Sequence, residues 1–346
     1  MRCTMVRMFG VGGLLVSLTA CGLSHVKPSS AGPPSRKTVN ATPIRGNVQA
    51  IDLASDQQGW MITDQSAHGY VESTTLYHTA DWGKQWQVVA RYAKHDAVIR
   101  GVAALAFSSP HLGTALAGLG VAMGHAQYQI LRTNNGGRTW RPTATIWMPS
   151  GSVTLSMLSA TQGVIVGGPG GGTREVAVMT KNGGRHWTPT PLPAPSPLQI
   201  GASLSATRLA FSSLRDGFVV NAYGQMNAAK HMVPILQELL TRTGGRTWQQ
   251  KSLPTKALMG TITALSFSSP TTGWVALYSM RRNQTVIEST VDQGQHWRVL
   301  RLGGHPSIAG AVSVIDQINA ETGCVAASNH LWCSVNGGQS WYSPNE

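Results

Sequence analysis

The feature that most constrains the fold of this chain is an octet of residues that recurs six times. Each copy has a hydroxyl residue first, an oxygen-bearing side chain third, glycine fifth and tryptophan eighth. The copies are Thr79–Trp86, Thr133–Trp140, Thr180–Trp187, Thr241–Trp248, Thr290–Trp297 and Ser334–Trp341. They begin at intervals of 54, 47, 61, 49 and 44 residues. Repeats at such intervals indicate a fold that uses one supersecondary unit many times.

A second pattern precedes the octets. Its clearest copies are an apolar run that ends in Phe-Ser-Ser and is followed by glycine: Leu105–Ser109 with Gly113, Leu209–Ser213 with Gly217, and Leu265–Ser269 with Gly273. Another alternating run, such as Thr285–Ser289, lies between that glycine and the octet. One unit therefore predicts a four-stranded antiparallel meander in which the octet is the last turn. A series of such units is typical of a β-propeller, which leaves only short strand edges.

The residue types inside the octet favour a structural role over a catalytic one. The third positions are Asp81, Asn135, Asn182, Thr243, Asp292 and Asn336. Because only two of these six are carboxylates, the position needs an oxygen that accepts hydrogen bonds in a turn, not a charge. The fifth positions, where a positive φ is expected, are Gly83, Gly137, Gly184, Gly245, Gly294 and Gly338. The eighth positions, expected to pack over neighbouring strands, are Trp86, Trp140, Trp187, Trp248, Trp297 and Trp341.

The octets resemble the Asp-box, or bacterial neuraminidase repeat, of sialidases, sortilin-type receptors, some glycan hydrolases and the photosystem II assembly/stability factor family. Their Gly-Gly-Arg-Thr-Trp endings are most similar to that last family. The resemblance covers Val48 to Trp341 and implies a propeller. It also implies a role in assembling membrane complexes through an arginine-lined face, for which Arg100 and Arg208 are the candidates here. It implies no particular enzymatic activity, because the same repeat occurs in propellers with unrelated functions.

We therefore predict an all-β fold, a single β-propeller of four-stranded antiparallel blades over residues 46–346. Six octets favour six blades, and seven remains open. The first unit begins with an inner strand and the last ends with an outer one. Closure of the ring is thus expected to rest on packing between blades, without strand exchange between the termini.

The N-terminus has the pattern of an exported lipoprotein. Residues 1–20 combine a basic start with the apolar run Phe9–Leu18, as in a signal peptide. The tetrapeptide Leu18–Cys21 resembles the lipobox of bacterial lipoproteins, which implies a lipid on Cys21. An ordinary secretory signal in which Cys21 is incidental is the alternative.

The segment that follows, residues 21–45, is rich in proline and serine and is predicted to be a flexible tether. No second stretch has the composition of a membrane-spanning helix, because the Gly101–Ala126 run is interrupted by Ser108–His111. The predicted location is the cell envelope, with the chain lipid-anchored on the extracytoplasmic side of a bacterial membrane.

The remaining cysteines agree with an exported chain. Cys324 and Cys333 flank a segment that reads as a hairpin with a turn at Ser328-Asn329, which places the two cysteines opposite each other. An oxidising exterior would let them form a disulfide. Two free buried thiols are the alternative.

Charge and composition leave few candidates for catalysis. The chain has 27 Lys and Arg against 14 Asp and Glu, a formal charge of +13. A glycosidase needs two carboxylates across a cleft, and Asp52 and Asp316, at comparable places in the first and last units, are the pair expected to face the central channel. No sialidase-type tyrosine and acid pairing, catalytic triad or phosphate-binding loop stands out. No cofactor and no metal site are predicted, because the 11 histidines are scattered.

The sequence thus predicts a non-catalytic binding or assembly scaffold for envelope proteins or polymers. Its expected partners are the membrane, through the lipid anchor, and either an envelope protein or an anionic wall polymer attracted by the positive charge. Nucleic acid is not an expected partner, and the chain is expected to be a monomer. A glycan-active hydrolase on the same fold is the alternative.

Overall fold

The protein is described by a computed structural model. It describes residues 43–54, 57–68, 70–93, 99, 101–149, 151–168, 176–190, 192–193, 203–211, 213–226, 232–254 and 258–344. These residues form six antiparallel sheets arranged as the blades of a propeller, so the predicted all-β fold and the count of six blades are confirmed. Within these ranges no helix is long and apolar enough to cross a membrane.

Each of the first four blades is a meander of four strands in chain order. Blade 1 contains β1 (Asn47–Leu53), β2 (Gly59–Ala67), β3 (Tyr70–Thr79) and β4 (Gln87–Ala93). Blade 2 contains β5 (Val102–Phe107), β6 (Gly113–Ala122), β7 (His125–Thr133) and β8 (Arg141–Pro149). Blade 3 contains β9 (Val153–Met157), β10 (Gly163–Gly167), β11 (Val176–Thr180) and β12 (Thr188–Thr190). Blade 4 contains β13 (Ser203–Phe211), β14 (Gly217–Met226), β15 (Met232–Thr241) and β16 (Gln249–Leu253).

The last two blades depart slightly from this plan. Blade 5 contains β17 (Thr261–Phe267), β18 (Gly273–Ser279), β19 (Gln284–Thr290), β20 (Arg298–Leu300) and β21 (Ile308–Ala309); β21 also pairs with β19. Blade 6 contains β22 (Val314–Gln317), β23 (Thr322–Ala327) and β24 (His330–Val335). The place of its fourth strand is taken by Tyr342, which forms an isolated bridge to Cys333.

The core lies between the blades. Buried apolar side chains form six clusters, and each cluster joins two consecutive blades around the ring. The cluster that closes the ring includes Val48 and Met61 of blade 1 and Leu331 of blade 6. Two hydrogen bonds reinforce it, from Val48 N to Ser328 O (3.1 Å) and from the Tyr342 hydroxyl to Trp82 O (2.7 Å). The described strands close the ring by packing, because no sheet contains strands from both termini.

The glycine of the second sequence pattern is explained by close packing inside the blade. The aromatic ring of Phe211, at the end of β13, lies over Gly217 at the start of β14, where an added Cβ would be 2.4 Å from the ring. Phe267 lies over Gly273 in the same way, at 2.5 Å. Glycine at this position therefore lets a large ring fold back onto the neighbouring strand.

The meander gives the propeller two distinct faces. We call the octet face the side that carries the six octets and the turns between the first and second strands of each blade. The hairpin face is the opposite side, which carries the turns between the second and third strands and the starts of the first strands. The chain enters β1 at Asn47, on the hairpin face.

Candidate functional site

A cavity of about 290 Å³ lies where the first strands of all six blades converge. It is lined by the halves of these strands that are nearer the hairpin face. Small side chains such as Ala50, Ala103 and Ala264 make up much of its wall. Among the described residues that line it, Arg208 is the one with a charged side chain.

Arg208 extends from β13 in blade 4 to blade 6. Its Nη2 donates to Oδ1 of Asp316, in an ion pair between side chains that are 24% and 1% exposed. Blade 5 lies between these two blades. Its residue equivalent to Arg208 is Ala264, which has a small side chain. Arg208 therefore lines the cavity, as a binding residue would, but its guanidinium is already paired on one side.

Asp316 and Asp52 act between neighbouring blades. Oδ2 of Asp316 in blade 6 accepts a hydrogen bond from the N–H of Leu53 in blade 1 (2.6 Å). Oδ2 of Asp52 in blade 1 accepts one from the N–H of Phe107 in blade 2 (2.6 Å). Neither aspartate lines the cavity. Of the pair expected at the central channel, Asp316 meets Arg208, which reaches in from blade 4, and both carboxylates also satisfy backbone N–H groups of the next blade.

The protonation of this pair is set mainly by burial. Burial, and after it the nearby carboxyl of Asp316, raises the pKa of Asp52 to about 7, although the Phe107 N–H and Arg208 oppose the shift. Burial also raises the pKa of Asp316, with the Arg208 guanidinium as the main opposing influence. The two carboxyls and Arg208 thus form one electrostatically linked group beside the cavity.

Asp52 and Asp316 occupy equivalent positions in their blades, and the residues at that position in the other blades show what the aspartates do. Counted from the glycine of the second strand, the equivalent residues are Asp52, Ala106, Ser156, Ala210, Ser266 and Asp316. Ser266 Oγ accepts from the N–H of Gln317 in the next blade (2.9 Å), which is the bond the aspartates make elsewhere. Aligning the six units by that glycine would have shown from the sequence that these positions are equivalent.

The octets form one hydrogen-bond network in all six blades. In blade 1, Thr79 Oγ1 accepts from Gly83 N (3.0 Å) and donates to Asp81 Oδ1 (2.8 Å), which accepts from Gln85 N (2.9 Å). In blade 4, the Thr243 hydroxyl takes the place of the carboxylate and accepts from Thr247 N (2.9 Å). The network needs an oxygen at the third position and makes no use of a negative charge.

The octet tryptophans are placed for packing. Trp86, Trp140, Trp187 and Trp248 are buried, and Trp297 and Trp341 are partly buried against the core clusters. Several donate their indole N–H to a nearby carbonyl, as Trp248 does to Gly245 O (2.9 Å). Surfaces this enclosed offer no platform for stacking a ligand.

Cys324 and Cys333 are joined by a disulfide across β23 and β24, with a Cα–Cα distance of 4.1 Å. Both are fully buried in the cluster that closes the ring. An added Cβ on Gly83, in the octet of blade 1, would be 3.1 Å from the Cys333 sulfur. The disulfide therefore lies where the last blade meets the first.

Other predicted site residues lie outside the described residues. These are Cys21 and Arg100, together with residues 1–20 and most of the tether. Within the described part of the chain, no group of three His, Cys, Asp or Glu side chains is placed to hold a metal ion.

Glu238 on β15 is a notable residue that our sequence reasoning missed. It is fully buried, and neither carboxyl oxygen has a hydrogen-bond partner in the structure. It stands three residues before the first residue of its octet, and the equivalent residues of the other blades are Leu76, Ile130, Ala177, Ile287 and Leu331. All five are apolar and buried. An alignment of the repeats would have identified this single acidic exception.

Comparisons with known proteins support the fold. No protein-family model and no curated protein sequence matches the chain. Among solved structures, an α-L-arabinanase from Penicillium chrysogenum is similar, with 10% identity over 87% of this chain and 94% of that one (TM-score 0.55). An α-L-arabinofuranosidase from Fusarium graminearum has 11% identity over 83% and 92% (TM-score 0.54). YCF48 bound to a D1 peptide has 16% identity over 88% and 82% (TM-score 0.46). The likenesses to the arabinanase and the arabinofuranosidase show the fold alone.

Proposed function

We propose that this chain is a lipid-anchored, non-catalytic binding module of the bacterial cell envelope. The propeller would act as a rigid disc, and the cavity at the centre of its hairpin face would receive part of a partner. The partner classes that fit are an envelope protein and an anionic wall polymer.

The observation that carries this proposal is the placement of Asp52 and Asp316. A retaining or inverting glycosidase holds its two carboxyl groups on either side of the substrate, free to exchange protons or attack. Here each carboxylate accepts a backbone N–H of the next blade, and neither lines the cavity. A glycan in the cavity would meet small side chains and one arginine.

The cavity itself favours binding of a group rich in hydrogen-bond acceptors. Arg208 and Thr263 line the cavity, and the arginine side chain is 24% exposed. The Arg208 guanidinium is paired with Asp316 on one side, and an N–H group on its other side would suit a carboxylate, phosphate or carbonyl oxygen. This chemistry suits an extended peptide or a polymer with acidic groups.

Capture of a partner from detergent-solubilised membranes tests the proposal. Ala103 is exposed and lines the cavity, so Ala103→Glu reverses the local charge and narrows the mouth without disturbing the core. Wild type and the matched control Ala103→Ser should recover the same partner, and Ala103→Glu should lose it. Failure of the wild type to recover a reproducible partner, or equal recovery by Ala103→Glu, would overturn the proposal.

Two further measurements test its remaining parts. Cys21→Ser should move the chain from the membrane fraction to the soluble fraction, and unchanged fractionation would refute the lipid anchor. Release of reducing sugar from arabinan or sialylated glycans is expected to stay at background. Release of sugar by the wild type that is abolished in Asp52→Asn would instead establish the alternative function, a glycan hydrolase.

A further inference from the structure

The tip of blade 2 carries the most conspicuous exposed apolar surface of the described chain. Leu119, Val121 and Met123 are 52%, 70% and 99% exposed, and Trp147 on β8 is 55% exposed. Trp147 pairs with Gln127, which in turn pairs with Gly120, so the tryptophan belongs to the same end of the sheet. We call Gly118–His125 with Trp147 the blade 2 tip.

The composition of this tip is unusual for a hairpin in water. Gly118–His125 reads Gly-Leu-Gly-Val-Ala-Met-Gly-His, eight consecutive exposed residues without an acid, lysine or arginine. The corresponding turns of blades 5 and 6 are polar, with Arg281 and Arg282 in one and Ser328-Asn329 in the other. Scattered single apolar residues on a surface need no explanation, but a contiguous group indicates a contact.

The course of the chain indicates what this tip contacts. The tip lies on the hairpin face, and the chain enters β1 at the same face. Only 21 residues separate Cys21 from Pro43, and Pro43 leads directly into the start of β1. A lipid on Cys21 would therefore hold the hairpin face, more than the octet face, near the bilayer.

The same face also carries groups suited to lipid headgroups. Met280, Arg281 and Arg282 form an exposed turn on blade 5, which is across the ring from blade 2. Tryptophan and methionine partition well into the interfacial region of a bilayer, and arginine is attracted to anionic headgroups. Contacts on opposite sides of the ring would let the disc lie flat.

We propose that the blade 2 tip inserts into the interfacial region of the membrane to which the chain is anchored. This inference rests on the lipid anchor of the proposed function and adds an orientation to it. The hairpin face then looks toward the bilayer. The central cavity opens toward the lipid surface and receives segments that project from membrane-embedded partners.

Site-specific fluorescence tests this orientation without the anchor. The propeller belongs to a compact unit of its own, so a chain beginning at Gly22 is used, in which Cys324 and Cys333 are buried in a disulfide. Met123→Cys and the control Leu214→Cys, which is 54% exposed on the octet face, are each labelled with the environment-sensitive dye NBD. Vesicles of phosphatidylethanolamine and phosphatidylglycerol are then added, with and without a doxyl-labelled lipid.

NBD at position 123 should brighten and be quenched by the doxyl lipid, and NBD at position 214 should do neither. The variant Leu119→Ser/Val121→Ser/Met123→Ser should sediment with vesicles on the order of tenfold less than the parent chain. The control Leu214→Ser/Val291→Ser should sediment like the parent. Thermal melting verifies that every variant is folded, which is expected because the altered residues are exposed.

The possible failures are distinguishable. No change of NBD at position 123, or equal changes at both positions, overturns the inference even when Cys21→Ser releases the full chain from membranes. A Ser variant that keeps vesicle binding but loses a captured protein also overturns it, since the tip would then be a protein contact. Insertion at position 123 together with unchanged fractionation of Cys21→Ser would sustain the inference; release of the chain only when Cys21→Ser is combined with the triple Ser variant would then assign the remaining membrane binding to the tip.

Discussion

The two faces of the propeller use the same six blades very differently. On the octet face, every blade repeats one hydrogen-bond network, and aspartate, asparagine and threonine serve equally as its acceptor. On the hairpin side, blades differ from one another: Arg208 occurs in blade 4, and the apolar tip occurs in blade 2. The comparison teaches that the repeated face builds the ring, whereas the other face carries the residues by which the blades of this protein differ from one another.

The largest effect is expected from Arg208, where one charge has no substitute. Arg208→Ala leaves Asp316, which is 1% exposed, without its cationic partner. We expect a loss of about 4 kcal/mol in the free energy of unfolding at neutral pH, measured by urea denaturation. Arg208→Ala/Asp316→Asn removes both charges and should recover much of that loss. A double variant as unstable as the single one would show that the buried charge is not the cause.

Two glycines with similar φ angles, one on each face, allow the packing of the two faces to be compared. Gly137 in the octet of blade 2 has φ +88°, and an added Cβ would be 2.1 Å from the Leu76 side chain. Gly124 at the blade 2 tip has φ +75° and no atom within 4 Å of that position. Gly137→Ala should therefore cost about 3 kcal/mol in unfolding free energy, from strain and overpacking together. Gly124→Ala should cost about 1 kcal/mol, from backbone strain alone. Equal losses would refute the packing difference.

Glu238 breaks the symmetry of the repeat and should make stability depend on pH. Burial raises the pKa of Glu238 to about 7 from its ordinary value of 4.5, against a small opposing influence of Lys251. In the unfolded chain the carboxyl ionises near its ordinary pKa, so the folded state loses stability as the pH rises from about 4.5 to 7. This penalty should approach about 3 kcal/mol above pH 7 and vanish below pH 4.5.

Glu238→Leu, the residue type that blades 1 and 6 have at this position, should therefore match or exceed wild-type stability at pH 5. Its advantage should grow through pH 8. Glu238→Gln is the matched control, because it removes the titration and keeps a polar group. Urea denaturation across this pH range checks both variants. Asp52, whose pKa burial also raises to about 7, adds a similar pH dependence to wild type and variant alike, so the contribution of Glu238 is the difference between them. A pH dependence in Glu238→Gln as large as that of wild type would contradict the prediction.

Much of the architecture follows from the sequence because it is encoded locally and repeatedly. The octets fix the last turn of each unit, the Phe and Gly pattern fixes the first, and six copies fix six blades. Where the pattern is weak in one unit, the clearer copies in the other units still predict its strands and turns.

The charged group beside the cavity could not be predicted in the same way. Arg208 and Asp316 are 108 residues apart, in blades that are not neighbours, and blade 5 between them has the small residue Ala264 at the position of Arg208. The hydrogen bond of Asp52 depends on which backbone N–H the next blade presents. Such relations arise only when the ring is closed.

The smallest effect is expected at the octet face, because the six octets use aspartate, asparagine or threonine at the third position and so do not need a negative charge there. Asp81→Asn keeps an oxygen that can accept from Gln85 N and from the Thr79 hydroxyl, as Asn135 does in blade 2. The free energy of unfolding should change by less than about 0.5 kcal/mol. Asp81→Ala removes the acceptor and should cost about 1 to 2 kcal/mol. Both are measured by urea denaturation. If the asparagine variant proved as unstable as the alanine variant, the carboxylate charge itself would matter, and the octets could no longer be regarded as interchangeable.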